Sequence, residues 1–231
     1  MTRRLEIASR LAALLIASQA VAVGSIEGVV RFGGALPKAE LLKRQIDPVC
    51  AKTEARDESI LVSSEGHALG NVVLRLKGLA SELPVPAEPV VIDQRECLYH
   101  PRVVIARLGQ SLKMTNSDST LHNIHSYLGN TRTLFNQAQP PKAAPLFKTA
   151  AGDDIISLKC DIHPWMRGYI ALATNPYFAL TQKDGKFRID GVPDGEYTLE
   201  AWHETLGRQN ARVKIQASRS TRLTFTFGNQ K

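Results

Sequence analysis

Apolar and polar residues alternate in short runs along most of this chain, and those runs set its expected architecture. From Ser25 to Phe32 the segment SIEGVVRF alternates like a strand and is closed by Gly33-Gly34. From Asn71 to Gly78, Val72, Leu74 and Leu76 share one face while Arg75 and Lys77 take the other, the period of two that marks a strand. Further strand patterns begin at Val90 to Asp93 and continue at Arg102 to Leu108 and Ser111 to Asn116, the last two flanking Gly109-Gln110 as an expected hairpin. Asp154 to Cys160 and Gly168 to Thr174 complete this set. Two stretches break the rhythm. Ala35 to Gly70 is rich in charge and without a clean period, which predicts a long loop or partly helical insertion. Tyr127 to Gly152 is polar and holds Pro140, Pro141 and Pro145, which predicts a loop. Beyond Asn175-Pro176 the turns Asp184-Gly185 and Asp194-Gly195 separate strand runs at Lys186 to Asp190 and Glu196 to Trp202, and Ala211 to Gln216 and Thr221 to Phe227 add two more. No helical stripe of useful length follows the first residues. The pattern predicts an all-β protein.

The first residues differ from all of this. Arg3, Arg4 and Arg10 precede the apolar run LAALLIASQAVAV, which ends in Ala20-Val21-Ala22. That order reads as an export signal, residues 1–22, cleaved near Ala22; the run is too short for a membrane span and no stop-transfer pattern follows. The mature chain is then expected in the periplasm, an oxidising compartment, with no membrane span. Its loss would change a formal net charge of +7 to +5, with 26 basic and 21 acidic residues left. A moderate positive excess suits an acidic partner protein, whereas no array of basic and aromatic residues points to nucleic acid. With 43% hydrophobic residues the chain is able to bury a proper core.

The densest chemistry lies in Lys159 to Tyr169, KCDIHPWMRGY. Cys160, His163 and Met166 offer a thiolate, an imidazole and a thioether within a turn that Pro164 keeps from being a helix. This mixture of soft and borderline donors selects copper over zinc or the hard cations. A trigonal site with a distant Met needs a second His, and NSDSTLHNIHS, Asn116 to Ser126, carries His122 and His125. Three positions apart on a strand, these two point to opposite faces, so one of them serves.

These segments resemble a known family. CDIHPWMRG is similar to the ligand loop of amicyanin and related cupredoxins, the plastocyanin-like type 1 copper proteins, and LHNIHSYLG resembles the segment that carries their first His ligand. The resemblance covers roughly Arg102 to Ala173. It implies a Greek-key sandwich, one type 1 copper ion, and His122, Cys160, His163 and Met166 as its ligands. It also implies that Asn123 ties the two ligand loops together and that the His163 imidazole reaches the surface beside Pro164 and Trp165 as the electron port. Pro164, lacking an N–H, limits the hydrogen bonds that reach the thiolate. The tail, with TQKDGKFRIDGVPDGEYTLEAWHE, resembles carboxypeptidase regulatory-like, transthyretin-like modules, whose DGxF…GVPxGxY hairpin it shares. The expected organisation is residues 23–174 as a cupredoxin-like domain with the insertion at 35–70, and 175–231 as a second small β-sandwich. The strand at Ile26 to Phe32 resembles the opening of such modules and would complete that short tail.

Three cysteines in an exported chain leave one over after a disulfide. If Cys160 holds metal, Cys50 and Cys97 pair, a closure that stabilises by roughly 4 kcal/mol on the chain-entropy account and tethers the irregular insertion. The alternatives are a second metal at Cys97 and His100, spaced C-x-x-H, or free thiols. His125 is expected at the surface or supporting the ligands, His67 and His203 at the surface, and Met114 and Trp202 in the core. A Cys-His-His-Met site suits single-electron transfer, and no open coordination position, Ser-His-Asp order, paired carboxylates or phosphate loop suggests an enzyme. The other readings are a protein that sequesters or delivers copper, and a β-sandwich binding module without redox chemistry. The first would expect Met-rich or His-rich tracts, which three Met in the chain do not supply. The second would expect an exposed aromatic platform, and the few aromatics here sit mostly at strand positions.

Overall fold

The computed structural model describes residues 22–79, 83–129, 131–152 and 154–228. The expected export signal lies, but for Ala22, outside the described residues. Among the described residues the regular structure is all-β, apart from a three-residue 3-10 turn at Cys50–Lys52. Two strands come first, β1 (Val23–Phe32) and β2 (Val73–Lys77). Then follow β3 (Val90–Arg95), β4 (Leu98–His100), β5 (Val103–Arg107), β6 (Ser111–Asn116), β7 (His122–Leu128), β8 (Arg132–Gln139), β9 (Leu146–Thr149), β10 (Ile155–Lys159) and β11 (Arg167–Ala173). The tail supplies β12 (Phe178–Leu180), β13 (Lys186–Pro193), β14 (Gly195–His203), β15 (Gly207–Ile215) and β16 (Ser220–Phe227).

β3 to β11 form two sheets, ordered β5-β11-β10-β7-β8 and β4-β3-β6-β9. Alternation drives them together: β6 buries Leu112, Met114 and Asn116 and turns Ser111, Lys113 and Thr115 outward. Ile92, Leu112, Met114, Ile124, Leu158 and Ile170 share the resulting core. The other strands form the sheets β13-β1-β16 and β12-β2-β14-β15, around Ile26, Val30, Leu74, Phe187, Leu199 and Phe225. β1 lies between β13 and β16, antiparallel to one and parallel to the other. The tail's strands are thus joined by a strand from the start of the chain, as the sequence of Ile26 to Phe32 suggests.

Three expectations need correction. The hairpin at Gly109-Gln110 does not form: β5 pairs with β11 and β6 with β3 and β9, so the turn crosses between sheets. Gln110 holds that crossing, its Oε1 accepting from Arg107 N (3.0 Å) and its Nε2 donating to Glu88 O (2.9 Å). The DGxF…GVPxGxY hairpin is corrected in the same way, since β13 pairs with β1 while β14 pairs with β2 and β15. Finally, Tyr127 to Gly152 is not a loop throughout. β8 pairs with β7 and β9 with β6, but β8 is a sheet-edge strand exposed on both faces, so no apolar period betrays it.

The two sandwiches meet along β2. Its Leu74 and Leu76 enter one core, whereas Val73 on the opposite face packs with Val103, Ala171 and Trp202. Arg75, on that second face, is buried and pairs with Glu200 and, at 2.8 Å, with Asp154, while donating to Leu172 O (2.6 Å). Arg102 makes a second cross-link, donating to both oxygens of Glu204 (2.5 and 2.8 Å).

Candidate metal centre

Two loops at the same end of one sheet build the centre. β7 begins at His122, and the loop before it is pinned by Asn116, whose Nδ2 donates to Thr120 O (3.0 Å) and Gln139 O (2.8 Å). β10 ends at Lys159, and the chain turns through Cys160 and His163 before β11 starts at Arg167. Met166 N donates to His163 O (2.9 Å), which closes the turn. Because β7 and β10 are hydrogen-bonded neighbours, with Lys159 opposite His125, the two loops are held side by side.

Asn123 bridges them. Its Oδ1 accepts from Asp161 N (2.7 Å) and lies 3.3 Å from Cys160 Sγ, while its Nδ2 donates to Asp161 Oδ2 (2.9 Å). The Tyr99 hydroxyl reaches Asn123 O and Lys159 O, both at 3.0 Å, and so touches both loops from inside the core.

The structure brings His122, Cys160 and His163 together. Donor atoms of the three lie within 4.8 Å of one another, and all three residues are buried. His122 Nδ1 is 2.9 Å from His163 Nδ1, and Cys160 Sγ is 3.6 Å from the latter. Donors bound about 2 Å from one ion stand roughly 3.5 Å apart at trigonal angles, so these residues fit a small metal ion. Met166 is fully buried in the same core cluster as Cys160.

The outward nitrogens are held by carboxylates. His122 Nε2 pairs with Asp118 Oδ2 (2.8 Å) and His163 Nε2 with Asp47 Oδ2 (3.0 Å). Burial alone would lower the His122 pKa, yet Asp118 and Cys160 outweigh it and push it up to about 9. Burial, together with the neighbouring His122 charge, holds His163 below its ordinary value despite Asp47. Cys160 is held below the usual thiol range: burial pushes it up, but His122 and the N–H groups of Asn123, His163 and Ile162 prevail. The consistent proton assignment makes His122 an imidazolium that donates to His163 Nδ1 and Asp118. His163 is then neutral and donates its Nε2–H to Asp47.

Two surface expectations are overturned. His163 is 0% exposed rather than an open port, because the insertion folds over its outer edge and caps Nε2 with Asp47. Pro164 is exposed beside it and Trp165 half-buried, its ring 5.1 Å from that of His163. His203 is also buried, its Nδ1 accepting from Thr205 N (3.2 Å) and Leu206 N (3.3 Å). His125 points away from His122, as its position predicts, and pairs with Asp161 (3.0 Å). Cys50 and Cys97 form a disulfide, which removes the alternative of a metal at Cys97 and His100.

Sequence reasoning missed Asp118, Asp47 and Tyr99. Asp118 carried a local signal, four residues ahead of His122, but Asp47 lies 116 residues from the ring that it caps.

No protein-family model matches the chain, and no curated protein matches it. Among solved structures it is similar to a purple cupredoxin from Nitrosopumilus maritimus, at 22% identity over 36% of this chain and 98% of that one, with a TM-score of 0.32. A reduced amicyanin variant is 20% identical over 43% of this chain and 97% of its own, with a TM-score of 0.33. A copper-containing nitrite reductase from Thermus scotoductus is 17% identical over 41% of this chain but only 24% of its own length, with a TM-score of 0.33. Likeness at this level leaves the functional reading to the site's own geometry.

Proposed function

We propose that His122, Cys160, His163 and Met166 hold one type 1 copper ion and that the protein carries single electrons between redox partners in the periplasm. The observation that carries this reading is the convergence of one thiol sulfur and two imidazole nitrogens within 4.8 Å, all buried. Bound copper would supply a one-electron couple there. The residues supply the rest. The Cys160 thiol is held below its ordinary pKa, which favours the thiolate form that ligates a metal. Asn123 and Tyr99 fix the two loops against each other, so the donors keep their spacing whichever charge the centre carries. Burial keeps water from the inner nitrogens, and Asp47, only 15% exposed itself, stands at the outer edge of His163. A partner would approach at this edge. The positive excess of the chain suits an acidic one.

A second reading follows from the same cover. With His163 closed off, a protein that sequesters or delivers copper without passing electrons is the alternative. The spectra of the copper-loaded protein test the metal centre: an intense thiolate-to-copper band with narrow hyperfine splitting is expected, and a weak d–d spectrum unchanged by Cys160→Ser would overturn it. Stopped-flow oxidation by an acidic electron-transfer protein then separates the readings. Turnover within milliseconds to seconds supports electron transfer, and none over minutes supports sequestration.

A further inference from the structure

The disulfide is more than a tether for the insertion. The N–H of Cys50 donates to Asp47 Oδ1 (3.2 Å), as does that of Val49 (2.7 Å), while Asp47 Oδ2 holds His163 Nε2 and takes the Thr120 hydroxyl (2.8 Å). On the other side, the N–H of Cys97 donates to Asp118 Oδ2 (2.8 Å) and that of Glu96 to Asp118 Oδ1 (2.7 Å), while Asp118 Oδ2 holds His122 Nε2. Each half-cystine thus anchors one carboxylate, and each carboxylate anchors one imidazole.

Several details hold this arrangement in place. Donor atoms of Asp47, Cys50 and His163 lie within 4.8 Å of one another, as do those of Cys97, Asp118 and His122. The cross-link therefore sits directly behind the imidazole pair. Glu96 and Cys97 both have left-handed backbones, φ 54° and 55°, and in this conformation both N–H groups reach Asp118. Arg44 clamps the two sides together, donating to Glu96 O (2.5 Å) and Thr53 Oγ1 (2.6 Å). Trp165, from the ligand turn, donates its Nε1–H to Cys97 O (3.0 Å). Both half-cystines are buried.

We propose that the Cys50–Cys97 disulfide, acting through Asp47 and Asp118, is the positioning element of the metal centre, fixing both imidazoles with Nε2–H on a carboxylate and the two Nδ1 atoms facing each other, that of His163 beside Cys160. This deepens the copper reading and rests on it for its consequences at the metal. A carboxylate on the far nitrogen makes an imidazole a stronger donor and fixes its ring, and removing such a partner typically weakens metal binding 10- to 100-fold. The stronger donor favours the more highly charged oxidised ion. Losing either carboxylate then raises the reduction potential.

The test compares the mature wild-type chain, Asp47→Asn, Asp118→Asn and the double variant Cys50→Ala/Cys97→Ala in two measurements. In the metal-free proteins, nitrogen-15 spectra of labelled histidine are expected to show slowly exchanging Nε2–H signals for His122 and His163. Asp47→Asn should alter that of His163, Asp118→Asn that of His122, and the double variant both. In the copper-loaded proteins, all three variants should bind Cu(II) 10- to 100-fold more weakly and show raised potentials. A purely structural role would lower the unfolding midpoint while leaving the histidine signals and the potential of the folded protein as in wild type; that result overturns the proposal. If the double variant does not fold, the two Asn variants decide. If wild type shows no thiolate-to-copper band, the copper reading fails, while the histidine signals of the metal-free protein still decide the positioning role.

Discussion

The Asp118–His122 pair makes the stability of the metal-free protein depend on pH. His122 is pushed up to about 9 from 6.5, so the folded state binds its proton more tightly than the unfolded chain does. Its contribution is therefore complete below pH 6.5 and is lost as pH rises through about 9. The part of the urea midpoint that His122 supplies, read as the difference between wild type and a His122→Gln variant at pH 6, 8 and 10, should shrink as pH rises. Copper loading should release the same proton, so affinity rises with pH over this window. Asn123→Ala strips the Asp161 N–H of its acceptor and should cost about 1–3 kcal/mol in urea unfolding. At this scale the three donors that converge were legible because Cys160 and His163 lie within one turn and His122 precedes Asn123. Their carboxylate partners were not: Asp47 reaches His163 only because the insertion folds back, and nothing local to Asp47 marks that.

Strands show a sharper division. Each long alternating run, from Ser25 to Phe32 through Thr221 to Phe227, became a strand within a few residues of its expected limits. Pairing was another matter. Gly109-Gln110 and Asp194-Gly195 carry hairpin chemistry, yet both cross between sheets, because a short Gly turn serves either purpose and the choice depends on which sheet edge is free. β1 illustrates how tightly such a choice is then fixed. A Cβ at Gly28 would fall 2.0 Å from Leu223 O and 2.9 Å from the Phe187 ring. Gly28→Ala is expected to cost about 1–3 kcal/mol by overpacking, read as a lower urea midpoint. Tyr99→Phe would leave the Asn123 and Lys159 carbonyls without the hydroxyl that joins their loops, at a cost of about 1–3 kcal/mol by the same measurement.

Across the whole molecule, the seam between the two sandwiches rests on a charge cluster whose inner pair, Arg75 and Glu200, is buried. Arg75 faces Glu200 and Asp154, and Arg208 pairs with the same two carboxylates. Arg75→Ala removes the central cation and should destabilise by about 3–5 kcal/mol, whereas Arg75→Met combined with Glu200→Leu should cost much less in the same thermal or urea unfolding. In sequence Arg75 is simply the polar half of an alternating strand, and whether that half meets water or a second sandwich is invisible there. The amino-acid sequence by itself determined the all-β character, the positions of most strands and the donors that converge, since a period of two and a ligand turn are written within a few neighbouring residues. Only the tertiary structure decided that β2 enters a sheet with the tail's strands, that Arg75 is buried and that Asp47 closes over His163. Those outcomes depend on surfaces meeting from distant parts of the chain, and the residues involved carry no short-range mark of what they will face.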